Sequence, residues 1–200
     1  PAAEAKKLRQ IETAGWHLLE LINEVLDLSR IEAGAMTLSP ETIELAPVVA
    51  EAMALVEPQA AERGITLHDH TADAGALWVR ADRRRLLQVL GNLLSNAVKY
   101  NRPQGSVTVT VQPLGERVRV AVADTGRGFS AEQLDRLYQP FTRFVADGEV
   151  IAGTGIGLVI TRRLVELMGG ALHVESSPGE GALFGFDLPR ASAPVSAGRA

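Results

Sequence analysis

Leu90-Gly91-Asn92-Leu93-Leu94-Ser95-Asn96-Ala97-Val98-Lys99-Tyr100 is the stretch on which the reading of this chain turns. Its leucines, alanine and valine recur as on a helix packed against a core. Asn92 and Asn96 interrupt that pattern four residues apart. That is about one helical turn, so both amides lie on one face. Polar groups on a packed face need partners. With Lys99 and Tyr100 one step further on, the simplest partner is a hydrated cation attached to phosphate.

Two glycine-rich segments downstream support that reading. Asp124-Thr125-Gly126-Arg127-Gly128 follows an apolar alternating strand. Its glycines let the backbone take positive φ and come close to a flat ligand, and a carboxylate held there can accept from an exocyclic amine such as that of adenine. A plain strand-to-turn Asp-Gly is the blander alternative. Asp-Thr-Gly is also the signature triplet of aspartic proteases, but those folds are almost wholly β and need two such aspartates, whereas this chain has one and is rich in helical patterns. Gly153-Thr154-Gly155-Ile156-Gly157 leads directly into a helix, whose free N–H groups and dipole favour phosphate. The spacing is neither G-x-G-x-x-G nor G-x-x-x-x-G-K-[ST], and a flexible hinge is the alternative for the segment taken alone.

Composition narrows the classes. The chain has 200 residues, 46% of them hydrophobic, and a net charge of -4. Its pI is near 5.6. One medium domain with an appendage fits this length. No basic stripe interleaved with aromatics appears, which argues against nucleic acid as the main partner. There are no cysteines, so disulfides and thiolate metal sites are excluded. The apolar runs fall short of the roughly 20 residues that span a membrane, and no signal peptide opens the chain. The first residue is Pro1 rather than Met, so a piece of a longer protein is expected.

Working outward, residues 4–34 read as one long helix. Leu8, Ile11, Gly15, Leu18, Ile22 and Val25 recur at spacings of three and four, with Leu19 and Leu26 widening the stripe and Gly34 as the stop. So narrow a seam on so long a helix suits a coiled coil or bundle; packing on its own domain is the alternative. A short strand (Thr42 to Leu45), a helix from Pro47 to about Arg63 that Pro58 breaks or kinks, and strands at Ile65–Asp69 and Trp78–Val79 follow. Asp82 should cap the asparagine helix. Val107, Val109 and Val111, then Val118, Val120 and Val122, alternate around Gly115-Glu116 as an antiparallel hairpin. Ser130 should cap a short helix to about Leu137, and residues 138–153 read as a mobile loop. A helix from Ile156 to Met168 and a final hairpin (171–176 with 182–188) complete the pattern. Hairpins with interspersed helices imply an α+β sandwich, helices on one face of a mixed sheet.

In this order the motifs resemble those of a sensor histidine kinase of the two-component type, within the wider group of gyrase, heat-shock chaperone, histidine kinase and MutL ATPases. Asn92–Tyr100 resembles the N box, Asp124–Gly128 the G1 box, Pro140-Phe141-Thr142-Arg143-Phe144 the F box, and Gly153–Leu158 the G2 box. Leu18–Glu32 resembles the second helix of the dimerisation and phosphotransfer hairpin. The resemblance implies a Bergerat-type two-layer α/β sandwich at residues 39–190, a partial hairpin helix and connector at 1–38, and a disordered tail at 191–200. It implies ATP with Mg²⁺ as ligands: Asp124 on adenine, Asn96 on the metal, and Lys99, Tyr100 and Arg143 near phosphates. Gly126, Gly128, Phe141, Gly153, Thr154, Gly155, Ile156, Gly157 and Leu158 would line the nucleotide, with residues 138–153 as its lid. Asn92, Lys99 and Arg143 would carry the catalysis.

One departure matters. No His-Glu-x-x-Thr-Pro box occurs, and His17 lies within the second-helix motif without the acidic residue and threonine of that box. His17 is expected to pack or to sit at a dimer seam. His68 and His70 lack a third ligand, so no metal site is expected there; His173 is expected to be structural. In the superfamily's ATPases a glutamate one turn before the metal-binding asparagine activates water, and here that position is Asn92. A neutral amide cannot accept the proton, a deficit of roughly 100- to 10,000-fold. The resemblance therefore implies phosphotransfer to a histidine outside this chain, with onward relay to a response-regulator aspartate. It also implies a homodimer of the whole protein through the hairpin and a cytoplasmic location. A degenerate, kinase-like module that docks a receiver or phosphotransfer partner is the alternative, and an ATPase-driven clamp a third.

Overall fold

The computed structural model describes residues 2–142 and 154–194. Helix α1 spans Ala2–Glu32. It ends where the Gly34 and Ala35 N–H groups donate to the Ile31 and Arg30 carbonyls, with Gly34 at φ 63°. Glycine meets no Cβ penalty there, which is why it stops the helix. Strand β1 (Glu41–Glu44), α2 (Leu45–Glu62), β2 (Thr66–Asp69), β3 (Trp78–Ala81) and α3 (Arg83–Lys99) follow. The hairpin β4 (Ser106–Leu114) and β5 (Arg117–Asp124), then α4 (Ala131–Asp135), α5 (Gly157–Leu167), β6 (Ala171–Ser177) and β7 (Gly181–Ala191) complete the order.

The strands form one mixed sheet in the order β1-β3-β7-β5-β4-β2, and β6 also pairs with β7. β2 lies parallel to β4, and the other pairs are antiparallel. Alternation sorts the faces. Val107, Val109 and Val111 of β4, Val118, Val120 and Val122 of β5, and Phe184, Phe186 and Leu188 of β7 are buried in one core with α2, α3 and α5. The reverse face carries the cross-strand ion pair of Arg119 with Asp187, Nε to Oδ1 at 2.7 Å.

Asp82 begins α3. One carboxylate oxygen accepts from Arg85 N at 3.1 Å and the other from Ser39 N at 2.9 Å, so the cap also pins the connector behind α1. α1 docks through its last turns. Leu28 and Ile31 pack on the core. Asp27 Oδ2 accepts from Arg85 Nη1 at 2.8 Å and from Gln88 Nε2 at 3.0 Å. Earlier in the helix, Leu18, Leu19, Ile22, Val25 and Leu26 are exposed. The last turns of α1 thus pack on the domain, while the apolar stripe before them is exposed.

Two details differ from expectation. α2 continues through Pro58 instead of breaking. Pro58 and Ala54, whose carbonyl loses its helical donor, both lie on the exposed side, where water can replace the missing bond. β7 runs on to Ala191, which pairs with Trp78 of β3, so the strand outlasts the hairpin. The rest of the expected tail, residues 195–200, lies outside the described residues, as does most of the expected lid. No helix among the described residues is long and apolar enough to cross a membrane.

Candidate functional site

α3 is the spine of the site. Its buried side is Leu86, Val89, Leu90, Leu93, Leu94, Ala97 and Val98. Asn92 and Asn96 share a half-buried flank, as the spacing requires, and Asn96 Nδ2 donates to Asn92 Oδ1 at 3.3 Å. Asn92 Nδ2 in turn donates to Thr161 Oγ1 of α5 at 2.6 Å. α5 can come this close because its first residue is glycine: a Cβ on Gly157 would lie 2.6 Å from Asn92 Oδ1. The last glycine of the second glycine-rich loop therefore makes room for the first asparagine.

At the far end of α3, Lys99 Nζ lies 5.1 Å from the centre of the Tyr100 ring, and the Arg127 guanidinium lies 4.9 Å from it. Two cations thus bracket one aromatic edge of the site. The loop carrying Arg127 is tied to this end. A Cβ on Gly126 would meet the Tyr100 carbonyl at 2.5 Å. Thr125 Oγ1 accepts from Ser106 N at 2.9 Å and donates to Asn101 Oδ1 at 3.1 Å, while Asn101 Nδ2 donates to the Ala97 carbonyl at 3.0 Å. Gly128 turns the loop away at φ 63°.

Asp124 ends β5 beneath that loop, and its Oδ1 accepts from Gly126 N at 2.7 Å. Burial pushes its carboxyl above the ordinary carboxylate range, and the N–H groups of Gly126 and Ala182 only partly offset this. A half-buried carboxylate at a strand end, short of donors, is suited to accept from a ligand's amine.

At the base of the expected lid, Phe141 N donates to the Gly155 carbonyl at 3.1 Å, and Gly155 turns at φ 74°. Phe141 also sits at positive φ and is 67% exposed. Thr154 Oγ1 accepts from Ile156 N at 3.2 Å; Ile156 is fully buried and Leu158 packs on the core. Arg143 and Gly153 lie outside the described residues, as does the His17 side chain.

The structure thus brings Asn92, Asn96, Gly157 and Thr161 into one cluster, and Lys99, Tyr100, Asp124, Gly126 and Arg127 into another at the other end of the same helix flank. Sequence reasoning overlooked Thr161, Asn101, Thr125 and Arg127 as working parts. Thr161 carries no local signal, because helical periodicity counts it as core; Arg127 could have been noticed as a cation between two glycines. Among the described side chains, His68, His70 and His173 stay apart from this chemistry. His173 Nε2 lies 3.1 Å from Asp187 Oδ2, and among the described residues no group of three His, Asp or Glu could hold a metal ion.

Residues 81–192 match the family described as histidine kinase-, DNA gyrase B-, and HSP90-like ATPases. The chain is 39% identical over 185 residues to the histidine protein kinase DivJ of Caulobacter vibrioides, covering 92% of this chain and 31% of that protein. In fold it is similar to full-length ShkA, solved in complex with AMPPNP, with a TM-score of 0.79 and 35% identity over 90% of this chain and 37% of that one. It is also similar to the histidine kinase ThkA in a complex with the response regulator TrrA, with a TM-score of 0.67 and 26% identity over 87% of this chain and 49% of that one. The chain spans only 14% to 35% of the length of curated relatives it matches.

Proposed function

The chain belongs to the histidine kinase-, DNA gyrase B-, and HSP90-like ATPases, and we propose that within them it is the catalytic, ATP-binding domain of a sensor histidine kinase, preceded by the second helix of the dimerisation hairpin. The observation that carries this reading is the cluster on α3. Asn92 and Asn96 sit side by side, held against Gly157 and Thr161, at one end of a flank that finishes in Lys99, Tyr100 and the Asp124 loop.

The donor set suits Mg²⁺. Asn96 gives an amide N–H to Asn92, so its Oδ1 lies on the opposite side of the amide. A hard cation that keeps several waters takes few protein oxygens of this kind beside substrate phosphates. Bound there, Mg²⁺ would neutralise charge on the phosphates. The remaining steps belong to the chain's own residues. Asp124 accepts from the adenine amine and fixes the base. Lys99 and Tyr100 are assigned to the phosphates, where Lys99 and the Arg127 guanidinium beside the same ring supply positive charge. Arg143 is assigned to the phosphates on the family resemblance.

Asn92 decides the fate of the γ-phosphate. Its amide cannot take a proton from water, so hydrolysis lacks a general base worth roughly 100- to 10,000-fold. The site holds ATP until an external imidazole attacks the γ-phosphorus; the bond to the bridging oxygen then breaks and ADP leaves. In the whole protein that imidazole would belong to the hairpin's first helix, and the phosphoryl group would pass to an aspartate of a response-regulator receiver. The ThkA complex with TrrA supports that partner class. Homodimerisation through α1 and a cytoplasmic location for this part belong to the same proposal.

Incubation with labelled ATP tests it. This chain should bind the nucleotide and acquire no acid-labile label on His17. Label at His17, or steady release of inorganic phosphate, would overturn the reading.

A further inference from the structure

Thr161 lies outside the glycine-rich loop, on the second turn of α5, and is 1% exposed. A buried hydroxyl among Val159, Ile160, Leu164 and Val165 costs free energy unless it is used. Its use is the 2.6 Å bond from Asn92 Nδ2. A helical threonine has the carbonyls one turn back as acceptors for its proton, which leaves its oxygen lone pairs to accept. With Oγ1 as the acceptor, the Asn92 amide turns its Nδ2 to Thr161. With Nδ2 committed to Thr161, Oδ1 faces Asn96 and accepts from its Nδ2 at 3.3 Å. Asn96 is in turn oriented with Nδ2 inward and Oδ1 away from Asn92. A reversed Asn92 amide would present N–H groups to Asn96, and Asn96 would have to reverse as well, offering N–H groups where a cation needs oxygen.

We propose that Thr161 is a positioning residue: through Asn92 it fixes the amide orientation of Asn96 and so presents an oxygen, rather than N–H groups, to the divalent cation that accompanies the nucleotide. The role rests on the ATP-Mg²⁺ reading of the site. It also gives Gly157 a second purpose, since a Cβ there would push on the Oδ1 atom that this relay has to place.

The test compares Thr161→Val, which keeps shape and removes the acceptor, with Thr161→Ser, which keeps the acceptor. ATP affinity of the chain is measured by calorimetry with Mg²⁺ and with EDTA. Thr161→Val should lose about fivefold in affinity with Mg²⁺, the worth of one hydrogen bond, and change less than twofold in EDTA. Thr161→Ser should match the unmodified chain in both. Equal losses with and without Mg²⁺, equal losses in both variants, or no loss in Thr161→Val would overturn the proposal. A second readout needs no nucleotide. The Asn92 side-chain NH₂ signals in a ¹⁵N spectrum, assigned by their disappearance in Asn92→Asp, should shift in Thr161→Val and stay in place in Thr161→Ser. The comparison is made on a Thr161→Val chain whose backbone amide signals keep their native dispersion, and unmoved Asn92 signals there would refute the relay. If the unmodified chain bound no ATP while those signals shifted, the ATP reading would fail and the Thr161–Asn92 orientation would stand.

Discussion

Asp124 shows how one residue's surroundings divide stability from function. Burial raises its carboxyl pKa, and two backbone N–H groups fall short of restoring it. In the free protein a raised acid favours folding at low pH. Its contribution is present below the unfolded value near 3.8 and is lost as pH rises through the higher folded value. In the proposed site nucleotide binding works in the opposite sense, because an adenine amine on Asp124 would favour the ionised form. ATP affinity should therefore begin to fall at a higher pH, on acidification from neutrality, than an ordinary carboxylate would allow. Asp124→Asn should bind ATP about 10- to 100-fold more weakly at neutral pH, the worth of a charge-assisted hydrogen bond of about 1.5–3 kcal/mol, and its affinity should lose that acid limb. Fluorescence titration across pH 4–8 checks both, and equal affinity of the two proteins at neutral pH would remove Asp124 from the adenine site.

At the scale of elements, α1 is held to the sandwich by a small polar clamp. The Arg85 side chain is 7% exposed and that of Asp27 17%. Burial alone would raise the Asp27 carboxyl; the hydrogen bonds from Gln88 and Arg85, with the charges of Arg85 and Arg84, hold it below its ordinary value. Its stabilisation is present above about 3.8 and fades as pH falls through the depressed folded value. Removing one partner of a buried pair costs about 3 kcal/mol or more, because the other charge stays buried. Asp27→Ala should thus speed hydrogen exchange of the α1 amides around Leu28 and Ile31 about a hundredfold at pH 7, with a smaller difference near pH 2. Unchanged protection would mean that Leu28 and Ile31 hold the helix by themselves. This clamp could not be read from the chain, where Asp27 looks like a solvated residue beside an apolar stripe. The elements themselves could. Asp82 and Ser130 announce their helices through cap chemistry, and both caps form. The valine alternation announces β4 and β5. Pro58 misleads, because propensity does not reveal that its side of α2 faces water.

For the whole molecule, legibility divides by range. Local pattern gave each layer its members, but not the parallel placement of β2 beside β4, nor the sharing of one β7 edge by β6 and β3. Those pairings join residues far apart in sequence and leave no periodic trace. The site divides in the same way. Asn92, Asn96, Asp124 and the glycines stand out because polar or flexible residues interrupt apolar periodicity. Thr161 does not, since only tertiary packing brings α5 against α3. The fold then explains how a single flank of α3 serves both ends of the proposed ligand, while the first part of α1 keeps an apolar seam exposed. The central claim is a site that grips ATP with Mg²⁺ and lacks the means to hydrolyse it. Calorimetric titration of ATP with Mg²⁺ into the chain at neutral pH reads both halves at once. The account predicts a saturating binding isotherm whose baseline returns to zero after each injection; no binding heat, or a sustained heat of turnover, would contradict it.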